Sequence, residues 1–395
     1  MSSLLGQRMS IVGGGIAGLA TALALARRGV VVEVYEQADE ISEIGAGIQI
    51  SPNGSRVLAA LDILDEVQAS SVCAKSVTLN DHGGGRVARL ALDGLGPFLM
   101  THRADLIHML RKAALLAGVE IHLGSRLDAI TRSADGVGLR FVDGRTITSP
   151  LVIGADGGRS RCRAALHRDD APPFSGQVAW RALIPLRAGE ADTLPEGPQI
   201  FMGPGRHVVS YPLRDRKILN IVAVEEQAAW VAESWHHEGD RTRLKRAFSE
   251  FGPPVSDWLS RVERVMAWGL FNHPVAPQWH DEELVLVGDA AHPTLPFLAQ
   301  GANLALEDAW TLAASLGERV DLVEGMALYQ ARRRERAVKV VKAATRNAQN
   351  YHLRGPARHV AHTVLRGMDR YAPDLLTRRF NWLYAHDVTD GVAGF

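Results

Sequence analysis

Apolar and polar positions come in alternating blocks along the first part of the chain. Residues 10–36 read SIVGGGIAGLATALALARRGVVVEVYE: a short apolar run, a glycine-rich turn, an Ala/Leu-rich stretch and a second apolar run. Short apolar runs bounded by turn residues indicate buried strands, and the longer Ala/Leu stretch indicates a helix. Strands that alternate with helices predict βαβ units and a parallel sheet.

The pattern changes at about residue 176. Runs such as VAWRALIPL and HVVSYPLRDRKILNIVAVEE are typical of antiparallel strands, with Asp215 and Arg216 at a tight bend. We expect this block to form a second sheet that covers a pocket. The strand–helix pattern returns at ELVLVGDAAHP (283–293), which indicates that the first domain is completed late in the sequence.

The chain is therefore predicted to be an α/β protein with a Rossmann-like domain, an interleaved β-sheet domain and a C-terminal helical segment. We expect the nucleotide-binding domain to comprise residues 1–75, 101–175 and 276–325. The sheet domain, which would bind the substrate, comprises 76–100 and 176–275, and the helical region comprises 326–395. A length of 395 residues exceeds one ordinary core and suits two lobes.

Composition and charge narrow the classes of partner. The 44 basic and 44 acidic residues balance, which argues against a nucleic acid held by a basic face. The arginine-rich stretch YQARRRERAVKVVKAATRNAQN is interpreted as a solvated helical face. No apolar run is long enough for a bilayer, and the N-terminus lacks a signal-peptide pattern. We expect no nucleic-acid partner, no membrane contact and a location in the cytoplasm.

The two cysteines, Cys73 and Cys162, form neither a disulfide framework nor a metal site, and no metal is expected. Cys162 lies between Arg161 and Arg163, which are expected to lower the pKa of its thiol somewhat. A non-catalytic thiol is the favoured interpretation.

The glycine-rich turn has the spacing Gly13-x-Gly15-x-x-Gly18. In a dinucleotide fold the first glycine permits the tight turn, the second admits the pyrophosphate and the third lets helix and strand pack closely. The helix N-terminus offers free N–H groups and a positive dipole end to the phosphates. Glu36 is placed to accept hydrogen bonds from a ribose diol, and an acid there disfavours a 2′-phosphate. The nucleotide is FAD or NAD(H).

Two distant turns repeat a strand-then-Asp arrangement. VIGADGGRSRCR (152–163) contains Asp156, and VLVGDAAHP (285–293) contains Asp289. Asp and Gly are common in ordinary turns, so neither stretch alone selects the nucleotide.

The glycine motif with Glu36, ADGGRSRCR, and GDAAHPTLPFLAQGANLALEDA occur in this order and at these separations. Together they resemble the single-component flavoprotein aromatic hydroxylases, or group A FAD monooxygenases, over essentially the whole chain. The resemblance implies an FAD-binding domain of the glutathione-reductase type, with NADH or NADPH and O2 as co-substrates. It implies that Glu36 holds the adenosine ribose and that Arg103 lies along the FAD. Asp289 would contact the ribityl or pyrophosphate region, and Asp156 would serve both FAD and the nicotinamide route.

The same resemblance places the loop 296–303 beside the isoalloxazine ring, with helix 303–315 directing its positive end at the N1–C2=O side. Small residues at 301 and 302 would let the flat ring approach the backbone. The cofactor-binding residues implied in this way are Gly13, Gly15, Ala17, Gly18, Glu36, Gln37, Gly47, Arg103, Asp156, Gly157, Asp289, Pro296, Gly301, Ala302 and Asn303.

Within the family, salicylate hydroxylases and 3-hydroxybenzoate 6-hydroxylases look most similar. GAGIQISPNGSRVLAALDILDEV (45–67) is similar to a segment that brings Gln49 to the active site. GPGRHVVSYPLR (203–214) is similar to a pocket strand in which a histidine acts near the substrate hydroxyl, here His207. Tyr211 lies four positions on, and alternate strand residues share a face. The implied substrate residues are Gln49, His207, Tyr211 and Pro296.

The chain departs from the 3-hydroxybenzoate 6-hydroxylase pattern at Phe98 and Pro296, where that group has Tyr and Gln. Both changes remove polar groups from the presumed phenol or carboxylate site, which argues against 3-hydroxybenzoate as the substrate. The flavin chemistry is unaffected.

The implied reaction begins when NADH reduces FAD, and O2 then gives a C4a-hydroperoxide that the electron-rich ring of a phenol attacks. A phenolate attacks faster than a phenol, so a base near the hydroxyl helps. His207 is the candidate base, since an ordinary histidine pKa near 6.5 allows it to accept a proton, and a structural role is the alternative. Tyr211 is expected to position the substrate, and His292 to position the flavin loop. Arg181, Arg206 and Gln49 are candidates for a substrate carboxylate.

Several alternatives stay open. The substrate could be a salicylate- or hydroxybenzoate-like acid, or a hydroxypyridine or other N-heteroaromatic acid. The chain could instead be an FAD-dependent oxidase or dehydrogenase, or a flavin-binding regulator without catalysis. No second Gly-x-Gly-x-x-Gly unit is present, so the nicotinamide is expected to bind transiently. The preference between NADH and NADPH, loss of the carboxylate as CO2 and the oligomeric state, a homodimer included, are not determined.

Overall fold

The computed structural model describes residues 4–40, 47–167, 172–230 and 238–391, so residues 45 and 46 of the segment 45–67 lie outside it. The strands in these ranges are β1 (Arg8–Val12), β2 (Val31–Tyr35), β3 (Gly47–Ile50), β4 (Val72–Cys73), β5 (Ser76–Asp81), β6 (Arg86–Ala91), β7 (Leu99–His102), β8 (Glu120–His122), β9 (Leu127–Ser133), β10 (Gly136–Phe141), β11 (Thr146–Ser149), β12 (Val152–Gly154), β13 (Phe174–Pro185), β14 (Gln199–Gly203), β15 (Arg206–Leu213), β16 (Ile218–Glu226), β17 (Met266–Phe271) and β18 (Leu284–Leu286). The helices are α1 (Ile16–Ala26), α2 (Pro52–Ala60), α3 (Leu64–Ala69), α4 (Arg103–Leu116), α5 (Arg161–Leu166), α6 (Glu190–Thr193), α7 (Arg241–Ala247), α8 (Val255–Ser260), α9 (Gly301–Gly317), α10 (Leu322–Tyr351), α11 (Gly355–Tyr371), α12 (Pro373–Arg378) and α13 (Asn381–Tyr384).

A five-stranded sheet in the order β18-β12-β1-β2-β8 forms the first lobe, and all of its neighbouring pairs are parallel. Ile11 pairs with Val34 on one side and Ile153 on the other, and Ile153 pairs with Val285. The sheet thus joins strands from both ends of the chain, which confirms that the first lobe is completed late. Its apolar strands are buried together with α1, α4 and α9, as expected for a parallel sheet.

The second lobe is a seven-stranded sheet in the order β17-β13-β16-β15-β14-β5-β6. Successive residues of a strand face opposite sides of a sheet. On one face Trp180 and Phe201 pack in a core with α7 and α8. His207, Tyr211 and Arg181 belong to the other face, which lines a cavity. The prediction of a second sheet that covers a pocket is confirmed, and the bend predicted at Asp215 and Arg216 has left-handed backbone angles.

The C-terminal part of the described chain is helical. Helix α10 packs along α9, while α11 and α12 lie against β6 at the edge of the larger sheet. The helix expected to begin at about residue 326 begins at Leu322, and the helix expected at 303–315 is α9. Among the described residues, no helix combines the length and apolar character needed to cross a membrane.

Candidate active site

A cavity of about 1630 Å³ lies between the two lobes. Its walls include the turns that follow β1, β12 and β18, and the inner face of the seven-stranded sheet. Pockets for single small ligands occupy about 300–1,000 Å³, so this cavity has room for an extended ligand and a second, smaller molecule. All predicted cofactor and substrate residues line it except Gly18 and Asn303.

The glycine loop fits a dinucleotide. Gly13 has φ +110°, and a Cβ there would come within 2.4 Å of the Ala155 carbonyl oxygen. A Cβ on Gly18 would lie 1.9 Å from the Gly13 oxygen, so Gly18 serves helix–strand packing and lies behind the cavity wall. A Cβ on Gly15 would meet nothing within 4 Å. Open space therefore faces the N-terminus of α1, where a pyrophosphate binds in dinucleotide folds.

Glu36 follows β2 and faces the same space. Its carboxylate accepts hydrogen bonds from the Gly14 N–H at 2.6 Å and the Ala38 N–H at 2.9 Å. These two bonds fix the carboxylate beside the glycine loop and leave lone pairs for a ribose diol. Gln37 lines the cavity next to it.

We expect Glu36→Ala to weaken FAD binding by about 1.5–3 kcal/mol, the usual net value of hydrogen bonds to a charged group. The measurement is a fluorescence titration of the apoprotein with FAD. Glu33→Ala is the matched control, because Glu33 lies on β2 three residues before Glu36 but pairs with Tyr35 and Arg8 instead of lining the cavity. Equal FAD affinity in the two variants would contradict the role assigned to Glu36.

The loop after β18 is held from behind by buried polar groups. The carboxylate of Asp308 contacts His292 Nε2 at 2.5 Å and accepts the Gly288 N–H at 2.9 Å. His292 is buried, so its position agrees with the loop-positioning role predicted for it. Asp289 instead faces the cavity, and because protein surrounds its other sides the pKa of its carboxyl is raised.

Asn303 joins β3 and the start of α9 behind the cavity wall that Gly301 and Ala302 form. Its Nδ2 donates to the carbonyls of Gln49 at 3.0 Å and Ala299 at 2.8 Å, and its Oδ1 accepts from the Ser51 N–H at 2.9 Å. The residue is fully buried and does not line the cavity, unlike its neighbours Gly301 and Ala302. Asn303 therefore fixes the start of α9 against β3, where the sequence pattern predicted a contact with the cofactor.

Asp156 lines the cavity but also caps a helix. It accepts from the Ser160 hydroxyl at 2.5 Å and from the N–H groups of Arg161 at 2.7 Å and Cys162 at 3.1 Å. The thiol of Cys162 is buried beside this carboxylate, and burial together with the negative charge raises its pKa. The expectation that flanking arginines lower the thiol pKa was therefore wrong, because desolvation and Asp156 act in the opposite direction and outweigh the one cation that lowers it, Arg132.

His207 lies on β15 in the cavity wall with only 1% of its surface exposed. Its Nδ1 is 2.7 Å from Nε2 of His352, and its ring packs against Phe297 and Tyr351. Burial and the neighbouring histidine hold the pKa of His207 well below 6.5. The imidazole is therefore neutral at neutral pH, the form in which it accepts a proton.

Tyr211 shares the inner face with His207 and packs against β3. A Cβ on Gly47 would lie 2.5 Å from Tyr211 Cε2, so glycine at position 47 makes room for the tyrosine ring. Burial raises the pKa of Tyr211 to about 12, and Gln49 is hydrogen-bonded to its hydroxyl. Tyr211 is therefore a neutral phenol, and its role in positioning a substrate stays a prediction.

The two arginines considered for a substrate carboxylate lie in different places. Arg181, on β13, lines the cavity near Tyr211, and its guanidinium lies 5.4 Å from the ring centroid of Trp268. Arg206 donates to the Ala247 carbonyl and does not line the cavity. Pro296 is exposed on the cavity wall.

Sequence reasoning missed the part of the cavity wall formed by α10 to α12. His352 lies 145 positions from His207, and no local pattern connects them. The arginine-rich stretch was interpreted as solvated, yet three of its basic residues, Lys339, Lys342 and Arg346, line this part of the cavity together with Arg379. Among the described residues, the carboxylates that line the cavity are Glu36, Asp156 and Asp289, and they follow strands of the five-stranded sheet.

Comparisons with known proteins agree with this geometry. A family model described as FAD binding domain matches residues 8–344. The chain is 36% identical over 356 residues to 3-amino-4-hydroxybenzoate 2-monooxygenase of Streptomyces cremeus, covering 88% of each chain. It is 32% identical over 389 residues to 3-hydroxybenzoate 6-hydroxylase of Klebsiella oxytoca, covering 95% of this chain and 96% of that protein. A structure described as a salicylate hydroxylase substrate complex has a TM-score of 0.80 at 27% identity, covering 97% of this chain and 96% of the other.

Proposed function

The chain belongs to the FAD-binding family of single-component aromatic hydroxylases, and we propose that it uses NADH or NADPH and O2 to hydroxylate a small phenolic acid. It is an FAD-dependent monooxygenase that acts on aromatic acids. The observation that supports the proposal best is the single cavity that connects the glycine loop with His207 and Tyr211.

The residues present fit FAD. Gly15 leaves open space at the N-terminus of α1, Glu36 holds its carboxylate beside that space, and Arg103 and Asp289 line the path toward Gly301. When bound, FAD supplies the reduction and oxygen-transfer chemistry that amino-acid side chains lack. The protein contributes orientation, exclusion of water and a base.

His207 is proposed to take the phenolic proton. Its Nδ1 is engaged by His352, which leaves Nε2 as the ring nitrogen for a bound molecule. Removing the proton concentrates negative charge on the substrate ring and makes it a better nucleophile. Tyr211 and Gln49, which are hydrogen-bonded to each other, would hold the substrate with its hydroxyl next to His207.

The charges on the walls favour an anionic substrate. Arg181 is the cation on the same sheet face as His207 and Tyr211, and the α10–α12 part of the wall adds Lys339, Lys342 and Arg346. Cations that line an entrance raise the local concentration of anions. We propose that the substrate carboxylate binds Arg181, and that the apolar Pro296 packs against the ring.

The decisive experiment is a screen of the yellow holoenzyme against salicylate, 3-hydroxybenzoate, 3-amino-4-hydroxybenzoate and 6-hydroxynicotinate. NADH or NADPH oxidation is followed in ¹⁸O2, and the products are analysed by mass spectrometry. A hydroxylase incorporates one ¹⁸O atom into its product and bleaches anaerobically only when the reduced nicotinamide is present. Bleaching by an aromatic acid alone would instead identify an oxidase or dehydrogenase.

The two free cysteines fit a reducing compartment, and we propose that the protein is located in the cytoplasm.

Arg181→Met is expected to lower kcat/KM for the acid by about 10–100-fold, because a charge-assisted hydrogen bond contributes about 1.5–3 kcal/mol. The uncharged amide of the same acid should be affected far less, so the variant loses the preference for acid over amide. Arg187→Met is the control, since Arg187 is exposed beyond the end of β13. An unchanged ratio of acid to amide in Arg181→Met would count against this assignment.

A further inference from the structure

A line of hydrogen-bonded side chains leads from the cavity wall to the protein surface. His207 Nδ1 lies 2.7 Å from His352 Nε2, and His352 Nδ1 lies 3.1 Å from Glu226 Oε1. His352 is buried, whereas the side chain of Glu226 is 41% exposed. The line therefore begins at the proposed base and ends at a carboxylate in contact with water.

The hydrogen bonds can all point in one direction. A carboxylate only accepts, so His352 donates through Nδ1 and carries a free lone pair on Nε2. His207 then donates through Nδ1 and presents the lone pair of Nε2 to a bound molecule. Gln177 also approaches His352 Nδ1, but at 3.5 Å this contact is longer than the carboxylate contact. The tautomers required by Glu226 are thus the ones that make His207 a base.

A buried histidine without a charged partner does not stabilise an additional proton. Imidazolium in a site without water carries a large desolvation cost, and this cost keeps the pKa of His207 low. The next residue is also disfavoured as a cation: burial, Arg354 and Arg206 lower the pKa of His352, although Glu226 opposes them. A proton taken from a substrate is therefore stabilised only when it reaches the exposed end of the line.

We propose that His352 and Glu226 form a relay that carries the phenolic proton of a bound substrate from His207 to solvent, an inference that rests on the proposed function. The substrate O–H bond breaks, its electron pair stays on oxygen, and the proton goes to His207 Nε2. The proton on His207 Nδ1 passes to His352 Nε2, and the proton on His352 Nδ1 passes to Glu226 Oε1. Glu226 releases its proton to water, so both rings end neutral with the N–H moved from Nδ1 to Nε2, and the substrate is a phenolate. Transfer of a proton back along the same line restores the starting tautomers.

The fold holds the relay at the turn between β14 and β15. The Gly205 N–H donates to the His352 carbonyl at 3.1 Å, and the Glu226 N–H donates to the Gly205 carbonyl at 2.9 Å. Arg354 pairs with Oε2 of Glu226 at 2.5 Å, and Oε1 of the same carboxylate accepts the hydrogen bond from His352. His352 and Glu226 act through His207 and are therefore positioning residues.

The relay can be tested without turnover. Oxidised holoenzyme in weak buffer is mixed with 3-amino-4-hydroxybenzoate, or with the acid of the screen that shifts the flavin spectrum most. A pH indicator that absorbs outside the flavin bands reports proton release. We expect the wild type to release a proton when the phenol binds. His352→Gln and Glu226→Gln should slow release by about tenfold, less than the loss of about 10²–10⁴-fold expected without the base itself.

Glu225→Gln is the matched control, because Glu225 is adjacent on β16 but bonds to Trp180, and it should behave like the wild type. Added imidazole should restore release in His352→Ala, which a merely structural histidine would not show. If a histidine variant fails to fold, the relay is tested with Glu226→Gln alone.

Equal release rates in the wild type, His352→Gln and Glu226→Gln would overturn the relay. A wild type that releases the proton but forms no ¹⁸O-labelled product would instead overturn the proposed function and leave the relay standing.

Discussion

Replacing His207 with alanine is expected to slow hydroxylation by about 10²–10⁴-fold, the usual contribution of a general base. FAD should remain bound at full occupancy, because His207 lies on β15 of the seven-stranded sheet, whereas the glycine loop follows β1 of the five-stranded sheet. Reduction of the flavin should continue, so a larger share of the NADH consumed should appear as hydrogen peroxide. The measurements are coupled product formation, peroxide yield and flavin content. His108→Ala, at an exposed position on α4, serves as the control.

The pH profile gives an independent check of the same role. Because the pKa of His207 is lowered below 6.5, the neutral base persists into mildly acidic solution. The acid limb of kcat/KM should therefore lie below pH 6.5 in the wild type, provided that the substrate does not titrate there. In His207→Ala this limb should disappear. Unchanged coupled turnover, or an unchanged acid limb, would remove His207 as the base.

The sequence was most informative where function depends on local backbone geometry. The glycine spacing predicted a tight turn after β1, and Gly13 has the left-handed conformation that such a turn requires. Alternation along β15 predicted that His207 and Tyr211 share a face, and both line the cavity. Both features can be predicted from the sequence alone, because the geometry of strands and turns is determined by a few neighbouring residues.

Contacts between distant segments were not predictable in the same way. His352 directly follows α10, and the β14–β15 turn, through the Gly205 N–H, contacts it beside His207. Asn303 was expected at the cofactor, but its amide donates to the Gln49 carbonyl of β3 and its side chain does not line the cavity. In both cases residue type suggested a polar role, while the partner was determined by packing between elements far apart in the chain.

The largest misinterpretation concerned charge. An arginine-rich helix is usually a solvated face, yet Arg333 is only 1% exposed. Its Nη1 contacts Glu307 Oε2 at 2.5 Å and its Nε contacts Asp308 Oδ1 at 2.8 Å. Asp308 in turn holds His292 and the Gly288 N–H. This buried cluster therefore connects α10 with the loop that borders the cavity.

Arg333→Met is consequently expected to lower the free energy of unfolding by up to about 3–5 kcal/mol, because it removes the buried cation that Glu307 and Asp308 share and leaves them only Arg336 and His292 as partners. The loss is measured as a shift of the urea unfolding midpoint, with flavin release monitored in parallel. Arg332→Met is the matched control: the adjacent Arg332 pairs with Glu318 at the surface, and both side chains are more than a third exposed. Exposed pairs contribute about 0–1 kcal/mol. Similar midpoints for the two variants would show that the buried cluster does not stabilise the fold.

The pH dependence of stability tests the electrostatic origin of this effect. Arg333 and Arg336 overcome the desolvation of Glu307 and lower the pKa of its carboxyl from 4.5 to about 2. A carboxyl whose pKa is lowered by folding contributes stability that is complete above its unfolded pKa and is lost as the pH falls toward the folded value. The wild type should therefore lose this contribution between about pH 4.5 and pH 2. Arg333→Met should lack the part of this contribution that comes from Arg333 at pH 7, while Arg336 still pairs with Glu307, so the stability difference between the two proteins should shrink as the solution is acidified. A difference that stayed constant down to acid pH would point to lost packing rather than lost charge.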